Sequence, residues 1–386
     1  MGVKRYSNLS LLPSEIIEWE ILPRVPVKSV IKFKSVCKSW NLLISNNPDF
    51  IKSHLDLNPN NDSLILMGGQ NKKWVHDNDS LLQCYTEIIG SINGLVCFYN
   101  WHDDYEGYEI AIWNPATKQC LTDIPNLPTR HQNRELERDD YFGFGFDPVA
   151  NDFKVIYAIF IEEQPLVGEI YSCNHRCWRK ITPSNFLFRG CVYMRPMPVT
   201  SSTGSPYWLI MQSNGKNSRL TVISFDVQNE NFILLPEVGS IDRKQGQASV
   251  LMTFRDSIAV IIYDWTMFLT KSVDLYVLNE RCSGWSKTSI GPVIGKEPTL
   301  PSWGQHLFQC FKNDDILFVS SGHQLNCVNL KTHAIKSLGK DRKLCRIVHG
   351  CAYSESLVFI KGMEHFNEKE DEVGIFFLRS LEAPAN

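Results

Sequence analysis

The 386 residues are 43% hydrophobic and 21% charged, with ten Trp and 21 Phe, a make-up that promises a large apolar core. A net charge of −3 gives no footing to bulk nucleic-acid binding or to a charged membrane surface. No apolar run approaches the length of a membrane-spanning helix, and the twelve Cys, scattered without CxxC pairs, predict reduced thiols in a cytoplasmic and/or nuclear protein.

MGVKRYSNLS lacks the apolar stretch of a secretory leader, and Tyr6 stands where a myristoylation signal after Gly2 needs Ser or Thr. From Leu12 to Leu55 the chain has strong helical periodicity. Pro13 suits a first helical position, Glu15 and Glu18 lie near the positive end of that helix, and Pro23 is expected to stop it. Ile16, Ile17, Ile21 and Leu22 are expected on one side. A second helix follows Pro26 with Val27, Val30, Ile31 and Phe33 apolar. A third is expected to place Val36, Cys37, Trp40, Leu43 and Ile44 on one face. Asn47 and Pro48 read as cap and first residue of a fourth, carrying Phe50, Ile51 and Leu55. A unit of about 45 residues is near the lower limit for folding alone, so some of its apolar faces are expected to bury against something else.

The run Leu12-Pro13, Glu15-Ile16, Ile21-Leu22, Arg24, Pro26-Val27-Lys28, Phe33 to Trp40, Leu43-Ile44, Pro48 and Phe50 resembles an F-box of the kind common in plants. Pro23 and Val25 depart from the usual pattern. The resemblance implies docking on a Skp-family adaptor and, through it, a cullin scaffold. The residues it marks for that contact are Leu12, Pro13, Ile16, Ile21, Leu22, Pro26, Val27, Val30 and Trp40. Trp40 has two readings, a core side chain of the helical unit or an anchor beneath the interface.

Asn58 to Asp62 is a polar run read as a linker, which divides the chain into a helical module at 1–57 and a remainder at 63–386. Beyond it, apolar strands alternate with polar turns. Aligning the turns gives Trp113, Tyr171, Phe225, Tyr276, Val328 and Phe377, spaced about 50 residues apart, the period of a propeller of four-stranded blades. Six anchors predict six blades, with SLILMGG completing the blade begun by HGCAYSESLVFIKG and closing the ring. Asn93 to Val96, Trp113 to Thr117 and Gly143 to Asp147 resemble the F-box-associated region of plant F-box proteins, including the S-locus F-box group, with a kelch-like propeller. The fold expected is a small all-α F-box module followed by an all-β propeller.

Other constellations carry less. Cys173, His175 and Cys177 fall short of the four ligands of structural zinc and fit a hairpin turn, so no metal or cofactor is expected. His102-Asp103-Asp104 and Asp139-Asp140 are expected in charged, solvated loops without the apolar surroundings that shift a carboxylate. No G-x-S-x-G, phosphate loop or HExxH occurs. Arg24, Lys28, Lys32, Lys34 and Lys38 read as a solvated helix face, serving solubility or steering an acidic partner, not nucleic acid. The acidic stretch Gly362 to Val373 reads as a solvated loop. The resemblance therefore implies a non-catalytic subunit of a ubiquitin ligase that presents a protein target. The alternatives are a pollen S-locus factor recognising pistil ribonucleases and, from another class, a propeller hydrolase.

Overall fold

The structure is a computed structural model that describes residues 12–57, 63–68, 71–72, 83–102, 108–127, 139–161, 163–188, 191–194, 198–213, 218–242, 247–255, 257–264, 273–279, 281–290, 309–310, 315–320, 324–340, 347–365 and 375–379. The linker expected at 58–62 lies outside them.

Four short helices come first: α1 (Ser14–Ile16), α2 (Val27–Phe33), α3 (Lys38–Asn46) and α4 (Pro48–Leu57). Pro13 caps α1 from outside, one residue before the position expected for it. Pro23 does not stop the first helix. The chain continues through a π turn at Ile17–Ile21 into a 3₁₀ turn at Leu22–Arg24, where Pro23 occupies an early position that needs no donor. Val36 and Cys37 precede α3 and are exposed, because the extended backbone of Cys37 breaks the helical phase. α4 begins as expected, with Asn47 Oδ1 accepting from Phe50 N at 2.9 Å.

The strands start with β1 (Ser63–Gly68). β2 (Asn71–Lys72), β3 (Gln83–Ile92), β4 (Leu95–His102), β5 (Tyr108–Asn114) and β6 (Gln119–Leu121) form one antiparallel sheet in that order. β7 (Asp139–Asp147), β8 (Asp152–Phe160), β9 (Val167–Ser172) and β10 (Cys177–Ile181) form the next. The third runs β11 (Cys191–Met194), β13 (Pro206–Ser213), β14 (Ser218–Asp226), β15 (Asn231–Leu234), with β12 (Val199–Thr200) on β13 and β16 (Gly239–Ile241) on β14. β17 (Gln247–Phe254), β18 (Ser257–Asp264), β19 (Val273–Leu278) and β20 (Trp285–Ile290) form a fourth. β21 (Gln309–Cys310), β22 (Asp315–Ser320), β23 (Gln324–Asn329) and β24 (Ile335–Lys340) form a fifth. Last come β25 (Ile347–Tyr353), β26 (Glu364–His365) and β27 (Ile375–Arg379): β26 extends the first sheet beyond β6, while β25 and β27 flank β1.

The six equal blades expected from the spacing are not observed. Among the described residues four sheets keep the order of a four-stranded blade. The first sheet, which gains β26, and the three strands around β1 depart from it. The anchor spacing marks one strand per unit and does not count the others. β1 does join the chain's ends, with Ser63 opposite both Tyr353 and Arg379. Trp113, Tyr171, Phe225, Tyr276 and Val328 each fall on the third strand of a meander.

A polar residue after that strand shapes the turn that follows. Asn114 Oδ1 accepts from Ala116 N and Thr117 N, Asp226 Oδ1 from Gln228 N and Asn229 N, and Asn329 Oδ1 from Lys331 N and Thr332 N. Four residues on, Lys118, Glu230 and His333 take positive φ. Adjacent sheets are stitched by outer-strand tryptophans. Trp178 Nε1 donates to Pro125 O at 2.7 Å and Trp285 Nε1 to Pro236 O at 2.9 Å. Buried Lys154 bonds Asp147 Oδ2 at 2.9 Å, Glu230 Oε1 at 2.9 Å and Val227 O at 2.7 Å, tying the β7–β8 turn to the β14–β15 turn. Burial works against the charge on Lys154, but the two carboxylates win and hold its pKa above the ordinary lysine value. A Cβ at Gly143 would lie 2.5 Å from Trp208 Cζ2, so only glycine allows these two sheets to approach this closely.

Candidate protein-docking surface

The first helical stretch sorts its apolar residues by the π turn. With i→i+5 geometry, side chains five apart share a side. Ile17 and Leu22 accordingly face the helical core, while Ile16 and Ile21 face outward. An i, i+4 reading of the sequence puts all four together; the extra residue of the π turn separates them.

An apolar row results. Leu12 is 55% exposed, Ile16 41% and Ile21 41%, and Pro13 and Pro26 are exposed beside them. Trp19, 39% exposed and edge-on to Phe50 at 6.3 Å between ring centres, belongs to the same region, although the sequence reading passed over it. Its signal was position: it lies three residues after Ile16. Val36, in the turn before α3, and Leu42, on α3, are further exposed apolar residues of the helical region. The row carries its own charge pattern. Glu15 and Glu20 stand exposed along it, and Arg24 lies near its end, donating to Glu20 O at 2.8 Å.

Leu22, Val27 and Val30, expected at this surface, are 2%, 0% and 0% exposed. They form the module's core with Ile44 and Phe50, so they brace the surface from beneath and do not line it. Trp40 is half-buried, tilted against Phe33 at 6.0 Å, and packs on that core. His54 is fully buried, with Nε2 at 2.8 Å from Val25 O; burial lowers its pKa from the usual histidine value. Arg24, Lys28, Lys32 and Lys38 are exposed as expected, but Lys34 is partly covered and its pKa is lowered by burial.

The other candidate groups of the sequence do not come together among the described residues. Ser172 Oγ donates to Asp152 Oδ2 at 2.6 Å and meets His175 Nδ1 at 2.9 Å. The serine thus bridges acid and histidine in a turn, whereas a nucleophilic triad needs the histidine in the middle. Cys173 is buried, with its thiol pKa raised by that burial, while Cys177 is exposed on β10. No group of three metal-binding side chains occurs among the described residues. Asp139 and Asp140 open β7, paired to Phe160 and Ile159, and do not lie in a loop. Asp103 and Asp104 fall outside the described residues. Of the stretch expected as a solvated loop, Glu364 and His365 instead pair with β6. Among the described residues no helix is long and apolar enough to cross a membrane.

Comparison with known proteins gives these features a family. The chain is 30% identical over 260 residues to an F-box/kelch-repeat protein of Arabidopsis thaliana, covering 58% of this chain and 65% of that protein. It is 25% identical over 268 residues to the Arabidopsis thaliana F-box protein CPR1, covering 61% and 63%. The chain thus spans less than two thirds of the length of these curated relatives. Among solved structures, an α-L-arabinofuranosidase from Fusarium graminearum covers 70% of this chain and 85% of its own at 9% identity and a TM-score of 0.44, too loose a likeness to bear on function. The family model described as F-box associated beta propeller domain matches residues 50–326, well over half of the sequence, and the chain belongs to that family.

Proposed function

We propose that this chain is the target-binding subunit of a cullin-based ubiquitin ligase. The exposed row of Leu12, Pro13, Ile16, Ile21 and Pro26 docks a Skp-family adaptor, which joins the chain to a cullin scaffold. The sheets present a protein target in the cytoplasm, the nucleus or both. The chain does no covalent chemistry of its own. It holds the target's lysines near the conjugating enzyme, so its contribution is proximity. The observation that carries this reading is the apolar row left outside a helical core that is already closed. The F-box names of the relatives agree with it.

Binding of the purified chain to a recombinant Skp-family adaptor tests it. Wild type is expected to bind, with Ile16→Asp and Ile21→Asp each weakening the complex by about thirtyfold or more, as at an interface hot spot. Equal binding by the variants overturns the contact assignment. Absence of binding by the wild type overturns the ligase reading.

A further inference from the structure

Ser354–Met363 follows β25 directly and contains no strand, yet it is fastened to the first sheet at several points. Asn114 Nδ2 donates to Ser356 O at 3.2 Å and to Val358 O at 2.8 Å. Ser356 is fully buried and donates through Oγ to Asn93 O at 2.7 Å, and a Cβ on Gly94 would collide with it. Ala116 N donates to the Tyr353 hydroxyl at 3.1 Å. Ile360 and Met363 enter the core shared by the first two sheets.

Between these fastenings Leu357 belongs to a different core. It is buried with Leu22, Val27, Val30, Ile44 and Phe50, with Ala116 packed alongside. A helical unit this small closes its core with a residue more than 300 positions away in sequence. That residue is held in place by bonds to the β3–β4 and β5–β6 turns.

We propose that Ser354–Met363 is a mount that seats the helical module on the ring through Leu357, and that seating requires a closed ring. β25 leads straight into the mount and is itself paired along β1. A ring that has not brought β25 to β1 leaves Leu357 unplaced and the helical core one wall short. The inference is independent of what docks on the exposed row.

Hydrogen exchange on the full chain tests it, comparing amides of α2–α4 with those of β17–β20. Leu357→Ser is expected to speed exchange in α2–α4 by about tenfold or more and to leave β17–β20 unchanged, as for a locally opening unit. Asn114→Asp keeps the acceptor that shapes its own turn but sets a carboxylate against two carbonyls of the mount. It is expected to loosen the same helices, and the double variant to add little, since both act on one device. Ile233→Ser, at an exposed position of β15, is expected to change nothing in either set. Unaltered exchange in α2–α4 in both single variants overturns the proposal. If Leu357→Ser also loosens β17–β20, Asn114→Asp decides alone: helices loosened with β17–β20 intact supports the mount, and equal loosening of both overturns it.

Discussion

The helices and the sheets treat their apolar side chains in opposite ways. β8 is buried at every position from Asp152 to Phe160, because neighbouring sheets cover both of its faces. The helices close a core of five residues and one borrowed leucine, and leave Leu12, Ile16, Trp19, Ile21, Val36 and Leu42 to solvent. The sheets bury their apolar side chains along strands such as β8, whereas the helices leave part of theirs exposed. A substitution in the first region should therefore be felt through the whole fold, and one in the second should stay local.

The largest expected effect is at Lys154. Lys154→Ala leaves buried Asp147 without its cation, Glu230 keeping only Arg179, and should cost about 3 kcal/mol in urea unfolding. Local loss confined to β7–β8 would break the comparison. Val30→Ala removes fully buried methyl groups from the helical core and should cost about 2 kcal/mol, read as faster exchange in α2–α4 with the sheets intact. Smaller again is a pH effect. The His54 pKa is lower in the folded chain than in the unfolded one. Helical stability is therefore full above the unfolded histidine value of about 6.5 and is lost as pH falls below it, towards the folded value. His54→Gln should flatten the dependence of α4 exchange between about pH 7 and pH 5. Ile16→Asp should change stability by less than about 0.5 kcal/mol while weakening adaptor binding about thirtyfold or more, so a large stability loss there would mean that the exposed row is structural.

What could be read in the sequence was local chemistry. Asn47-Pro48 starts α4 through a bond spanning three residues, and the third-strand anchors recur because each blade repeats one turn. The residue after the anchor is the better marker: Asn114, Ser172, Asp226 and Asn329 all shape turns. By that measure Tyr276 was aligned early, since its turn residue is Asn279, whose Oδ1 accepts from Ser283 N. The π turn was not legible, because Ile16, Ile17, Ile21 and Leu22 satisfy both i+4 and i+5 spacing. Nor was the mount. SESLVFIKG has the apolar content of a strand, and its course is set by Asn114, 242 residues from Ser356. The exposed row was half legible: the resemblance marked its residues, but burial then divided Leu22, Val27 and Val30 from Ile16 and Ile21.

The pairing of β1 has a cost during synthesis. Its partners β25 and β27 are translated roughly 290 residues and more after Ser63. At ordinary ribosomal speeds the strand Leu64-Ile65-Leu66-Met67 waits on the order of 15–60 s with both edges unpaired. Such an edge is a template for pairing with the wrong chain, so the nascent protein's dependence on chaperones should peak before β25 and β27 leave the ribosome.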